Sequence, residues 1–156
     1  RFDSDGMLLY KQNHKQQIYV YHYRNAFEVT DQFSRLIYSG KTIDTISRAI
    51  IDVKHYVDSN SFKLGPQTVL VNKLSATDGD FLYIHTERLG RYEDEDMLNS
   101  AGIMDVYDIR DGSYVFSFYL YHQKNQKLTE IFVYNEWLVA IVDNQLWLYR
   151  LKNEFF

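Results

Sequence analysis

Residues 67–122 decide the fold. They break into QTVLVNKLSA (67–76), FLYIHTERLG (81–90), GIMDVYDIR (102–110) and SYVFSFYLYH (113–122). In the third run Ile103, Asp105, Tyr107 and Ile109 fall on one side and Met104, Val106 and Asp108 on the other, the period of two that a pleated strand imposes. Asp111-Gly112 stands between the third and fourth runs. Such a pair between β-rich runs predicts a tight hairpin, because both central residues of a type I′ turn need positive φ. Thr77-Asp78-Gly79-Asp80 punctuates the first two runs, and RYEDEDMLN (91–99) is a polar excursion between the second and third. Four antiparallel strands in one sheet are expected.

The rest of the chain repeats this unit. Before it come MLLYKQ, QIYVYHYR, AFEVTDQF and SRLIYSG within residues 6–40; after it come KLTEIFVYN, EWLVAIVD and QLWLYRL, with Asn135-Glu136 and Asp143-Asn144 as turns. Aligning the units places IYVYHY on FLYIHT and WLVAIV, then AFEVTD on MDVYDI and LWLYRL. Tyr19, Tyr21 and Tyr23 alternate with Ile18, Val20 and His22, so that strand is apolar or aromatic on both faces and has to be covered on both. A repeated four-stranded unit of about 40 residues, packed face to face with its neighbours, describes β-propeller blades. Residues 41–66 are less legible. Residues 45–56 fit an amphipathic helix (Ile46, Ala49, Ile50, Val53, Val57) or a strand (Ile46, Arg48, Ile50), with β-branched content favouring the strand.

Composition agrees with sheet. Of 156 residues, 14 are Tyr, 10 Phe and 2 Trp, and 46% are hydrophobic, enough for one respectable core. The net charge of −4 and the lack of a Lys/Arg cluster argue against nucleic acid, which rewards clustered cations through counterion release. The acidic excess lies after residue 60, with 14 acidic against 9 basic residues there and 7 against 8 before it. With no cysteine, disulfides and thiolate chemistry are excluded. No apolar run approaches the ~20 residues of a membrane span.

The stretches LLYKQNHKQQIYVYHYRNAFEV (8–29), GKTIDTIS (40–47), VYDIRDGSYVFSFYL (106–120) and WLVAIVDNQLWLYRL (137–151) resemble the six-bladed β-propeller proteins of the NHL and TolB-like groups, in particular exported bacterial ones. The resemblance covers most of the chain but consists of blade-core patterns without a catalytic signature. It implies a cell-envelope (periplasmic or exported) location and no functional residue. The expected architecture is therefore all-β: a partial propeller of about three to four blades of four-stranded antiparallel sheet. Residues 1–156 form a single domain, expected to be the C-terminal portion of a longer propeller that self-associates through open blade edges.

Chemistry-bearing motifs are sparse. Glu93, Asp94, Glu95 and Asp96 offer oxygens for Ca²⁺ but lack the alternating order of an EF-hand and read as a solvated loop. Asp78-Gly79-Asp80 reads as turn chemistry. Asp105 and Asp108 fall on opposite faces of a strand and cannot share a site locally. His14, His22, His55, His85 and His122 show no metal-binding spacing, and neither a nucleophile elbow nor a phosphate loop is present. No catalytic residue, metal ligand or cofactor is assigned. Because first strands line a propeller's channel, the polar residues in or just after them, Asn13, His14, Asn72, Lys73, Tyr134 and Asn135, are the candidate ligand contacts of a non-catalytic binding or scaffold module whose partner is a carbohydrate or a protein. The alternative is a hydrolase or lyase acting on a carbohydrate or lactone with acidic groups at the channel mouth. In the last unit Leu146, Leu148 and their facing residue, Val139 or Ile141, are expected to be buried between sheets.

Overall fold

The computed structural model describes residues 2–57, 60–90 and 92–152, residue 95 through its backbone alone. Thirteen strands are present among them, and the chain is all-β. Strands β1 (Gly6–Lys11), β2 (Gln16–Tyr21), β3 (Ala26–Thr30) and β4 (Leu36–Lys41) form a first antiparallel sheet in sequence order. Strands β5 (Val53–Tyr56) and β6 (Ser61–Leu64) make a separate hairpin. A second four-stranded sheet runs β7 (Leu74–Asp78), β8 (Phe81–Thr86), β9 (Ala101–Asp108) and β10 (Ser113–Tyr121). A third, of three strands, is β11 (Leu128–Tyr134), β12 (Trp137–Val142) and β13 (Gln145–Arg150). These three sheets are propeller-type blades.

The blades stack because their strands are apolar on alternate positions of both faces. Ile18, Val20, Phe27 and Val29 of blade 1 meet Leu82, Ile84, Tyr107 and Ile109 of blade 2, all buried. On the opposite face of blade 2, Tyr83, Met104, Val106 and Leu120 meet Ile131, Val133, Leu138, Ala140 and Val142 of blade 3. Residues 101–107 of β9 are all buried, as expected of a strand covered on both sides. Fully burying one such Leu or Ile contributes about 1.5–3 kcal/mol.

The first strands of the blades lie side by side and run the same way. Ser75 Oγ at the start of β7 is 3.4 Å from Met7 Sδ at the start of β1, while Lys11 Nζ at the end of β1 donates to Asp80 Oδ1 just past β7 at 2.7 Å. β11 flanks β7 on its other side, and the Asn135 N–H just past β11 donates to the Asp78 carboxylate at the end of β7. The turns that follow β1, β7 and β11 therefore share one rim, and the starts of these strands share the other.

Four sequence expectations need correction. Residues 67–73 are not strand; they cross between blades, with the Val71 and Asn72 N–H groups donating to the His22 carbonyl at 2.8 and 3.1 Å, and β7 begins only at Leu74. The β9–β10 connection is not a two-residue type I′ turn. Only Gly112 has positive φ (80°), and its N–H donates to the Asp108 carbonyl at 2.8 Å across a four-residue loop that carries Ile109 into the core. In residues 42–56 no helix forms; the strand is confined to Val53–Tyr56, and Ile46, Arg48 and Ile50 precede it. Asp58 to Asn60 reads from sequence as a loop, and of it only Asn60 lies within the described residues, with φ 44°.

The fourth correction concerns blade 3. Leu146 and Leu148 are 65% and 58% exposed, on the same face as half-buried Val139 and Ile141. The alternation was legible but the covered face is the other one, where Trp147, Tyr149, Leu138 and Ala140 pack on blade 2. Phe132, Tyr134 and Trp137 extend the uncovered apolar face. Leu138→Ala should thus cost about 2–5 kcal/mol in denaturant unfolding, and Leu148→Ala less than about 1 kcal/mol. Equal losses would reverse the two faces.

Candidate functional site

The rim after β1, β7 and β11 gathers most of the chain's charged chemistry. Lys11 is only 6% exposed, yet its ammonium is paired: Asp80 accepts its hydrogen bond, and Arg110 lies 3.8 Å from the other Asp80 oxygen. Arg110 in turn grips Asp108 through Nε (2.9 and 3.0 Å) and through Nη2. Lys11, Asp80, Arg110 and Asp108 form an alternating ladder across blades 1 and 2. The hydrogen bond from Lys11 holds the Asp80 carboxyl below the usual carboxylate range. Two residues away, burial pushes the Asp78 carboxyl up, against hydrogen bonds from the Asn135 and Gly79 N–H groups. Gly79 turns the chain between them at φ 55°, where an L side chain is strained. A cleft of about 400 Å³ opens here between blades 2 and 3, lined by Asp78, Asp80, Tyr83, Arg110, Asn135 and Glu136.

Four of the six sequence candidates reach this rim. Asn13 and His14 form the exposed turn after β1, within the single 3-10 turn Gln12–His14, and the His14 ring is close enough to help hold Asp80 ionised. Tyr134 ends β11 with its side chain exposed, and Asn135 follows at φ 53°. Asn72 and Lys73 lie at the opposite rim, ahead of β7. Asn72 is 2% exposed and spends its amide on the carbonyls of Tyr21 (2.7 Å) and Arg24 (3.0 Å), while its own carbonyl accepts from His22 Nδ1 at 2.7 Å. It joins blade 1 to blade 2. Lys73 pairs with Glu87, and its N–H donates to the His85 carbonyl at 2.9 Å.

The sequence reading missed Lys11 and Arg110 and took Asp78 and Asp80 as turn chemistry alone. Placing the first strand of blade 2 at residues 67–76 put Asn72 and Lys73 where Gly79 and Asp80 belong. The signal that could have found them is the equivalence of the residues just after β1, β7 and β11.

Further clefts lie away from this rim. One of about 140 Å³ lies between blades 1 and 2 against Ile43, Asp44, Arg88, Glu93, Asp105 and Ser117. There the buried Asp105 carboxylate accepts from Ser117 Oγ at 2.6 Å, and burial pushes its pKa up. Arg88 pairs with Asp44, and Glu93 accepts from the Tyr119 hydroxyl and from the Gly90 N–H at 2.5 Å. The neighbouring acids cap local structure: Asp94 Oδ1 accepts from the Asp96 N–H (3.0 Å), and Asp96 Oδ1 from the Asn99 amide (3.1 Å). Among the described residues no group of three or more His, Asp or Glu is placed to hold a metal. The second cleft, about 240 Å³, lies at the opposite rim beside His85. His85 and His22, equivalent in the aligned units, each set Nδ1 against a backbone carbonyl.

No family model matches the chain, and no curated protein matches it. Among solved structures it is similar to the computationally designed Ika4 protein, with 12% identity, 93% of this chain and 89% of that chain covered, and a TM-score of 0.41. It is also similar to Kluyveromyces lactis Hsv2, with 10% identity, 97% and 63% covered, and a TM-score of 0.28. At such scores the description of the fold rests on the strand pairing and blade stacking themselves. Among the described residues no helix is long and apolar enough to cross a membrane.

Asp80→Ala strands the buried Lys11 ammonium and should cost about 1–3 kcal/mol, whereas Lys11→Met, which leaves a half-exposed carboxylate over a flexible apolar chain, should cost less. Because the folded Asp80 pKa is depressed, the pair stabilises above the unfolded carboxylate pKa and loses this as pH falls through the folded one. The gap between wild type and Asp80→Ala in unfolding midpoint should narrow below about pH 4.

Proposed function

We propose that this chain is a non-catalytic binding module of a bacterial, envelope-located β-propeller, in which its three blades contribute to a ring of six, and that it takes its ligand at the rim after β1, β7 and β11. The observation that carries the reading is the common direction of the three first strands, which delivers His14, Asp78, Asp80, Tyr134 and Asn135 to one edge beside an open cleft. Tyr134 presents an exposed ring for stacking on a sugar or amphipathic face. Asn135 and Arg110 supply polar orientation. The six-bladed and envelope parts of the reading rest on the blade-core resemblance. The same reading has Phe132, Leu146 and Leu148 of the uncovered apolar face take a further sheet, while Tyr134, at the rim end of β11, stays open to ligand.

A second reading is favoured by one observation. Asp78 and Asp80, two residues apart, have their pKa values moved in opposite directions, up by burial and down by Lys11. Carboxyl pairs split in this way serve as acid and base in hydrolases.

A panel of glycans and lactones, followed by calorimetry and by product analysis, separates the two. The expected result is binding without turnover, at least about tenfold weaker in Tyr134→Ala or His14→Ala. Turnover that disappears in Asp78→Asn would install the hydrolase reading. Binding indifferent to both ring substitutions would remove the ligand from this rim.

A further inference from the structure

At the opposite rim, the cleft between blades 2 and 3 contains two hydrogen-bond acceptors that no donor among the described residues meets. His85 is 2% exposed, and its Nδ1 lies 3.1 Å from the Ile103 carbonyl oxygen. A carbonyl oxygen only accepts, so Nδ1 carries the proton and Nε2 presents a bare lone pair. The ring is neutral at physiological pH, because burial holds its pKa down at about 4. No donor among the described residues meets Nε2.

The second acceptor is Gln126 Oε1, buried and without a partner. Its orientation is set by a chain of bonds: the Trp147 indole N–H donates to Gln145 Oε1 at 3.2 Å, so that oxygen faces the Gln126 amide, and Gln126 turns its nitrogen toward it at 3.5 Å. The Gln126 oxygen is what remains. His85 and Gln126 both line the cleft, with Leu98 and Leu128 as apolar walls and Asn99 beside them. Gly102 makes room for the imidazole, since a Cβ there would meet His85 Cε1 at 3.1 Å and Leu128 Cδ2 at 3.1 Å. Its φ is not in the left-handed region, so glycine serves the close approach rather than a turn.

Two unmet acceptors call for a ligand that brings two donors. The surrounding charges then choose between donors. Lys127 and Glu87 both line the cleft, and Glu87 is already paired with Lys73 near His85, so Lys127 leaves the surroundings net positive. A cationic amine meets repulsion there. An anion brings acceptors to acceptors. A hydroxylated neutral molecule does neither. At about 240 Å³ the cleft is smaller than the ~300–1,000 Å³ that drug-sized ligands fill. We propose that this cleft is a second binding site, for a neutral polyol no larger than a monosaccharide, whose hydroxyls donate to His85 Nε2 and Gln126 Oε1. A site built to receive hydroxyl hydrogens discriminates strongly against analogues that lack them. The proposal stands independently of the rim opposite.

Chain labelled with ¹⁵N in its histidine rings tests it, since His85 reports this cleft and His14 the opposite rim. The probes are glycerol, glucose and galactose, with putrescine as the cationic amine and inorganic phosphate as the anion. The expected result is a saturable movement of the His85 Nε2 resonance with at least one polyol, at an affinity at least tenfold weaker in Gln126→Leu. This variant alters a loop residue outside both core layers, so it folds even if His85→Phe does not. Overturning results are no movement with any polyol, in which case water alone meets the two acceptors, a tighter response to putrescine or phosphate, or undiminished affinity in Gln126→Leu.

Discussion

Blade 2 is held between two apolar layers, and everything else hangs on that double cover. Its strands β8 and β9 send Leu82, Ile84 and Tyr107 one way and Tyr83, Met104 and Val106 the other, all buried. A sheet with one wet face stands alone more easily; one with two dry faces needs both neighbours. Polar bonds then fix how blade 1 sits. The Tyr38 hydroxyl donates to the Ile109 carbonyl at 2.6 Å, the Tyr107 hydroxyl accepts from the Ile43 N–H at 2.9 Å, and Asn72 stitches the β2–β3 turn to the crossing segment. These buried groups have partners, as the dry surroundings demand, while Arg24 Nε and Thr42 Oγ1, buried beside them, have none among the described residues.

The stacking has a geometric consequence for chemistry. Neighbouring first strands that run in one direction put all their following turns on one rim and all their starts on the other. Hence the two rims differ in character. The first bears the Lys11–Asp80–Arg110–Asp108 ladder and an open cleft; the second bears a smaller cleft with unmet acceptors. Burying Lys11 is tolerable only because Asp80 meets it with a short charge-assisted bond. The β5–β6 hairpin lies outside both layers. It is exposed along nearly its whole length and tied down near its base by the Gly65 N–H on Asp52 and the Val69 N–H on Ile50.

Much of the fold was legible because strand alternation is a local signal. Every strand of blades 1 and 3, and β8 to β10 of blade 2, falls within one residue of a run picked out by its apolar and aromatic residues. What failed was non-local. Residues 67–73 are as β-rich as a strand, yet the N–H groups of Val71 and Asn72 pair with His22 from another blade, which no period reveals. That slip carried the candidates Asn72 and Lys73 to the wrong rim. Leu146 and Leu148 were correctly set on one face of β13, but alternation cannot say which face finds a neighbour. Lys11 and Asp80, 69 residues apart in the chain, meet only because β1 and β7 are adjacent.

The central claim is that blade 2 owes its stability to cover on both faces, and amide hydrogen exchange followed residue by residue tests it most directly. The backbone amides of β8 and β9 should exchange only through global unfolding, more slowly than those of β4 and β13, with the β5–β6 hairpin fastest of all. Protection that is greatest in blade 1 or blade 3, with β9 exchanging through local opening, would contradict the account.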